Sequence, residues 1–331
     1  MKWVAEVHAK AQILQAQVEL ARSMARSFGM DESEAISPYL REIEKIYELE
    51  FPLARAMDES DLVFHIEGPA LADHTPKLSL VESIFANIRT QVLAVARAVA
   101  NVGEGVHLSD RDVELSLSAI APGSLYIGVK AEPPTTSTGQ QHLLGRDDRI
   151  VAATREAMRS IRLVSQHLSD DATEVVERIP DPAVRDAALV AVARLAPTGR
   201  AGVTRITLAA TDQGESLMGE ALTPKIRSEL KHQLKGAFSA GSCRVVLTGE
   251  VRELDLDFAR FELRRIEGHL DRSVRCRVNS EVFIDLQRLA GARVEVVGST
   301  VEGAAELPRV VHVTEVRLLG SGEALLEPPL L

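Results

Sequence analysis

The chain has 331 residues and a formal net charge of −10, and 45% of its residues are hydrophobic and 26% charged. This length accommodates two or three domains, each with its own core, and the composition is that of an ordinary folded globular protein. The negative net charge disfavours nonspecific attraction to nucleic acid or to an anionic membrane, although it leaves room for a local basic face. Because only 4% of the residues are aromatic, little material is present for extended base-stacking surfaces.

The two cysteines, Cys243 and Cys276, are too few for a disulfide framework, and no further cysteine or paired histidine lies nearby in the sequence to complete a metal site. Polar residues such as Glu6 interrupt the apolar stretch that a secretory signal needs. No uninterrupted apolar run approaches the length of a membrane span. These features predict a cytoplasmic protein without membrane attachment. The abundance of arginine, alanine and valine, together with the scarcity of lysine, predicts a bacterial origin.

The beginning of the chain is predicted to be helical. From Val4 to Phe28, apolar residues recur at alternating intervals of three and four, and Gly29 is typical of a helix end. The Val4–Phe28 seam suits packing against another helix of the monomer, or self-association in a coiled coil, which leaves the oligomeric state open. Ser37 and Pro38 predict the start of a second helix, which Pro52 would break or kink.

The remainder of residues 1–132 mixes strands with a helix. A short strand is predicted at Leu62–Glu67, and a capping box beginning at Ser79 predicts a long amphipathic helix. Alternating apolar residues at 113–117 and 125–129 predict the two arms of a β-hairpin. The first region is therefore predicted to be an α+β domain.

The segment 133–146, rich in proline, serine, threonine and glycine, is predicted to be a linker or a mobile loop. Residues 147–238 are predicted to be mostly helical, with a helix start at Asp181 and Pro182 and one strand at Val203–Leu208. Because an isolated strand needs partners, we expect it to pair with the hairpin, so that this region completes the first domain.

A different pattern occupies residues 240–320. Three alternating segments, one helical segment and two more alternating segments follow one another: Cys243–Leu254, Phe258–Ile266, Ser273–Val278, Glu281–Ala290, Arg293–Val297 and Arg309–Leu318. In the first of these segments, Gly249 predicts a bulge. The order of the six segments resembles the five-stranded oligonucleotide/oligosaccharide-binding (OB) barrel. The prediction for the whole chain is therefore α+β: a helix-rich N-terminal α+β domain with a β-hairpin, then an OB-like barrel, then a tail at 321–331.

The resemblance also implies a binding surface. In OB barrels the face of the second and third strands is the usual ligand surface. On this chain that face would present one aromatic ring and a track of cations: Phe258, Arg260, Arg264, Arg275 and Arg277. Such a track suits single-stranded nucleic acid or another anionic ligand. Alternatively, the arginines pair with Glu262 and neighbouring acids on a solvated strand face, or contact a protein partner.

The sequence contains no recognisable catalytic motif, metal site or cofactor motif. His65 and Glu67 have the His-x-Glu spacing of zinc deaminases, but the Pro-Cys-x-x-Cys that this chemistry also requires is absent. We therefore expect a non-enzymatic binding or adaptor protein whose barrel engages a protein partner or single-stranded nucleic acid, without a cofactor. The alternatives are an acidic, antitoxin-like neutraliser of a basic partner in a regulatory or defence operon, and an enzyme whose site residues are scattered along the sequence.

Overall fold

The computed structural model describes residues 2–71, 76–101, 114–121, 125–133, 146–168, 173–212, 215–235, 243–278, 286–300 and 307–319. Most of the predicted linker at 133–146 and all of the predicted tail at 321–331 lie outside these residues. The described helices are α1 (Trp3–Phe28), α2 (Glu32–Lys45), α3 (Phe51–Glu59), α4 (Leu78–Ala100), α5 (Arg146–Gln166), α6 (Thr173–Arg178), α7 (Pro182–Leu195) and α8 (Pro224–Lys235). The described strands are β1 (Leu62–Glu67), β2 (Glu114–Ala121), β3 (Leu125–Glu132), β4 (Arg205–Asp212), β5 (Glu215–Met218), β6 (Cys243–Asp255), β7 (Arg260–Arg264), β8 (Val274–Val278), β9 (Arg293–Thr300) and β10 (Val310–Leu318).

The first helix confirms the predicted seam. Three small or branched residues of α1, Ala11, Val18 and Ala25, are buried, and α1 packs against α2. The helix ends at Gly29, which adopts the left-handed conformation, φ 66°, that favours glycine. The seam is therefore used inside the monomer, and self-association through this helix stays a prediction.

The second helix begins earlier than predicted. The carboxylate of Asp31 accepts a hydrogen bond from a backbone N–H two residues further on, at 2.8 Å, and so caps α2. The prediction that Ser37 and Pro38 begin this helix is wrong, because Pro38 lies inside it. A π-helical turn at Ile46–Glu50 separates α2 from α3, next to the break predicted at Pro52.

Five strands form one sheet in the order β2-β3-β1-β4-β5, with antiparallel neighbours. The middle strand, β1, buries Leu62, Phe64 and Ile66 completely. The strand predicted at Val203–Leu208 is β4, and its observed neighbours are β1 and β5 and not the hairpin. Strand β1 thus bridges the hairpin of the first region to the strand of the second in a single sheet.

Helix α4 belongs to the same hydrophobic core as this sheet. Its apolar face, with Ile88, Val92 and Ala96, packs with α5 and α7. The predicted capping box at Ser79 does not form, because the helix already begins at Leu78 and no side chain caps it. In the part of the chain that the structure describes, α4 is the one helix whose length and apolar composition would also suit a membrane crossing.

Strands β6 to β10 close into a barrel in the order β10-β8-β7-β6-β9. All neighbours are antiparallel except β8 and β10, which run parallel. The predicted OB-like barrel and the α+β fold class are therefore confirmed. Of the predicted helical segment Glu281–Ala290, the structure describes a short 3₁₀ turn, Leu286–Leu289. The rest of that segment lies largely outside the described residues.

The barrel interior is mostly aliphatic. Leu263, Val274 and Cys276 are fully buried there, and burial raises the pKa of the Cys276 thiol. Gly249, the position of the predicted bulge, instead allows a close approach, since a Cβ there would lie 2.8 Å from the backbone oxygen of Arg264. The irregularity in β6 falls between Val251 and Glu253, and a bulge of this kind changes the direction of the side chains around it.

Candidate functional site

The outer face of β7 and β8 is covered by the helix-rich N-terminal part of the chain, residues 2–235, which we call the helical domain. Helix α7 lies across it, and the side chain of Asp186 on this helix is only 3% exposed. Arg260 on β7 is 8% exposed and Arg277 on β8 is 15% exposed. The surface that would bind a ligand in an isolated OB barrel is therefore, over much of its area, an interface within this chain.

One carboxylate is the centre of that interface. Asp186 accepts a hydrogen bond at 2.5 Å from Arg260, and its oxygens lie 3.3 Å from Nε of Arg277 and 3.9 Å from Nη1 of Arg275. Burial lowers the pKa of Arg260, although Asp186 acts in the opposite direction. Burial likewise lowers the pKa of Arg277 to about 10, so the Arg277 guanidinium group remains charged at neutral pH.

The predicted exposure of this face is wrong for three of the five residues. Arg260 and Arg277 lie beneath the helical domain, because α7 supplies the carboxylate that their strands face. Phe258, in the turn between β6 and β7, is buried in the core of the helical domain. The ring of Phe258 lies under the guanidinium groups of Arg194 and Arg260, at 5.6 and 6.0 Å, and is only 3% exposed. It therefore presents no stacking platform to solvent. Whether these residues take part in binding a partner stays a prediction.

A cavity of about 640 Å³ remains open between α4 and the strands β6 to β8. Arg264 and Arg275, the other two predicted residues, line it, and their side chains are 31% and 26% exposed. We call this cavity the arginine cleft. Its described lining includes seven arginines: Arg97, Arg252, Arg264, Arg265, Arg272, Arg275 and Arg309.

Carboxylates of the same chain pair with most of these arginines. Arg264 donates to Glu262 and to Glu253, at 2.8 Å in both cases, which agrees with the predicted pairing to Glu262. Burial opposes ionisation of both partners, but their hydrogen bond raises the pKa of Arg264 and lowers that of Glu262. Among the described residues, six of the seven arginines pair with five carboxylates: Asp181, Asp186, Glu250, Glu253 and Glu262.

The rim of the cleft combines polar and apolar groups. Asn101 at the end of α4 donates from Nδ2 to Oγ of Ser273 at 3.2 Å, which ties the helix to the barrel. Leu270, in the turn between β7 and β8, is 74% exposed. No aromatic side chain is found among the described residues that line the cleft.

The sequence of α7 indicates that this helix packs against another part of the protein. The alternating pattern of the barrel strands does not indicate that contact. This helix buries residues around its whole circumference, among them Val184, Val190 and Val192, which point to different sides. A helix that is apolar all round has to be covered on every side. Asp186 is the single carboxylate of this helix, and a buried acid needs a cationic partner.

The His-x-Glu pair lies on β1. His65 stacks on Tyr126 with 4.1 Å between ring centroids and 1° between the planes, and burial lowers its pKa. Across the described ranges, no group of three or more histidine, cysteine, aspartate or glutamate side chains could hold a metal ion.

A comparison of the chain with protein-family models finds no match, and neither do comparisons with curated proteins and with solved structures.

Proposed function

We propose that this chain is a non-enzymatic bacterial binding protein of the cytoplasm that engages an acidic protein partner through the arginine cleft. The observation that supports the proposal is the charge of the cleft: seven arginines line it, in a chain whose net charge is −10. A local basic surface on an acidic protein favours one class of partner without attracting anions everywhere.

The ion pairs that hold these arginines can be exchanged. Arg252 and Arg265 are 43% and 64% exposed, and both pair with Glu250. Exposed pairs of this kind contribute about 0–1 kcal/mol each, so a partner's carboxylates can replace those of the chain at little cost. The planar guanidinium group also suits bidentate contact with a carboxylate.

The shape and chemistry of the cleft favour a polypeptide over single-stranded nucleic acid. Proteins that bind single strands stack bases on aromatic rings, whereas the described lining has none and Phe258 is buried. The exposed Leu270 beside the arginines offers an apolar contact of the kind found in protein interfaces. Single-stranded nucleic acid is therefore the alternative outcome in the test below.

The test uses two fluorescent probes, a glutamate-rich peptide and an oligothymidylate of similar charge, and measures their anisotropy at low and at moderate salt. The Arg252→Gln/Arg265→Gln variant removes two exposed cleft arginines. Its matched control, Arg293→Gln/Arg317→Gln, removes two arginines of similar exposure on β9 and β10, which also pair with nearby glutamates.

We expect the peptide to bind and the cleft variant to lose about tenfold in affinity, as the loss of two charge-assisted contacts implies. The control variant should bind the peptide as the natural chain does. Absence of peptide binding at low salt, or equal losses in the two variants, would overturn the proposal. Binding of the oligothymidylate alone would replace the protein partner with nucleic acid.

A further inference from the structure

A second cavity lies on the other side of α7. It measures about 580 Å³ and is lined by helices α5 to α8 on one side and by strands β8 to β10 on the other. We call it the interdomain pocket. It shares Asp186 with the interface described above, but none of the seven cleft arginines lines it.

Most of the pocket wall is aliphatic. Residues from four helices and one strand supply it: Val164, Leu168, Val175, Leu189, Leu230 and Val310. Leu189 is only partly buried by the protein itself, although it packs against the main core. A ligand in this space would therefore gain mainly by removing apolar surface from water.

One end of the pocket is charged. Arg277 reaches it from β8 and lies 3.3 Å from Asp186, and Arg185 of α7 also lines the pocket. The Nη1 atom of Arg185 donates to the backbone oxygens of Ile179 and Pro180, at 2.6 and 2.7 Å, which fixes its position. At the charged end, the carboxylate of Asp186 thus faces two guanidinium groups, that of Arg277 and that of Arg260 outside the pocket.

His312 of β10 completes the polar end without adding charge. Burial, together with the nearby guanidinium group of Arg277, lowers the pKa of His312 to about 4. The imidazole is therefore neutral at pH 7 and adds no further buried cation to the pocket. The polar end carries a net positive charge at the end of an apolar chamber.

We propose that the interdomain pocket binds a small organic acid with a nonpolar body, such as a straight-chain carboxylate of about ten carbons. The carboxylate lies at Arg277, and the chain lies along the aliphatic wall. This inference is independent of the arginine cleft and of the proposed protein partner. Because both units of the protein form the pocket, such a ligand stabilises their docking by mass action.

Decanoate, decanol and decyltrimethylammonium, each below its micellar concentration, are the probes. Binding to the full chain is measured by calorimetry, and the shift in Tm is recorded in parallel. We expect decanoate to bind and to raise the Tm, decanol to bind about tenfold more weakly because it lacks the charge, and the cation to leave both readouts unchanged.

Two variants and one control separate the pocket from surface adsorption. Leu189→Trp fills the chamber without a change of charge, and Arg277→Met removes the cation; each should weaken decanoate binding by about tenfold or more. Arg275→Met is the control, since Arg275 also faces Asp186 but lines the arginine cleft. It should bind decanoate as the natural chain does.

Absence of decanoate binding, equal binding of decanol, or binding that Leu189→Trp leaves unchanged would overturn the proposal. If Arg277→Met fails to fold, Leu189→Trp and the three probes still decide the matter. The peptide-binding assay for the arginine cleft serves as a separate readout, and Leu189→Trp should leave it unchanged.

Discussion

Asp186 on α7 accepts a hydrogen bond from Nη1 of Arg260 on β7 at 2.5 Å, and their side chains are 3% and 8% exposed. The two residues belong to different units of the chain, so this contact joins the helical domain to the barrel. Removal of one partner from such a pair leaves a buried charge without compensation. The pair therefore makes the docking of the two units sensitive to single substitutions.

Asp186→Asn should lower the free energy of unfolding by about 3–5 kcal/mol, because Arg260 stays buried without a carboxylate. Denaturant unfolding followed by circular dichroism measures the change. Glu250→Gln, which alters pairs with exposed arginines, is the control and should cost less than about 1 kcal/mol. The double variant Asp186→Leu/Arg260→Met should recover part of the loss; a double variant as unstable as Asp186→Asn would contradict this account.

The stability of the protein should depend on His312 at mildly acidic pH. Its folded-state pKa of about 4 lies below the ordinary value of 6.5, so the unfolded chain binds the proton first as the pH falls. Neutral His312 contributes about 2 kcal/mol to the free energy of unfolding, with allowance for its partial exposure. This contribution is fully present above pH 6.5 and is lost as the pH falls toward 4. Arg277, Asp186 and Arg260 are the charged groups that act on this imidazole.

His312→Gln removes that titration. Denaturation midpoints at pH 7 and pH 5 should therefore differ less in this variant than in the natural chain. His232→Gln, on an exposed position of α8, is the control and should keep the natural difference. An unchanged pH dependence in His312→Gln would show that the imidazole does not titrate as described.

Glu253→Gln should strengthen binding of the glutamate-rich peptide. Oε1 of Glu253 accepts a hydrogen bond from Arg264 at 2.8 Å and lies 3.7 Å from Nη1 of Arg97. Glu253 therefore competes with a partner's carboxylates for these arginines inside the cleft. Removal of its charge should raise the affinity about three- to tenfold in the anisotropy assay. Glu295→Gln, on β9, is the control and should leave the affinity unchanged. A weaker affinity in Glu253→Gln would contradict the proposed position of the peptide.

Gly298→Ala should destabilise the barrel. A Cβ at this position would lie 2.4 Å from the backbone oxygen of His312, which belongs to the neighbouring strand and cannot move without disturbing the ladder. Overpacking of this kind costs about 1–3 kcal/mol. Thermal unfolding checks the change, and a Tm equal to that of the natural chain would show that β9 and β10 can separate more easily than the packing indicates.

The strands of the barrel could be predicted because alternation is a local property. The pattern correctly assigned Leu263 and Cys276 to the interior and Arg260 to the outside of the cylinder. The pattern carried no information on what packs against the outer face of the barrel, since Asp186 lies 74 residues away from Arg260 in the sequence.

Helix starts were less predictable where two capping residues compete, as Asp31 and Ser37 do. The arginine cleft also escaped prediction, because Arg97 comes from α4 and the other six arginines from the barrel.

The closure of the barrel also bears on how the nascent chain reaches its final state. Strand β10 supplies the partner of both β8 and β9, so these two strands keep open edges until residues 310–318 have left the ribosome. Arg309, immediately before that strand, contacts Asp181 at 3.1 Å and the backbone oxygen of Ala98 at 3.1 Å. Sealing of the cylinder and the contact of Arg309 with the helices therefore depend on the same stretch of chain.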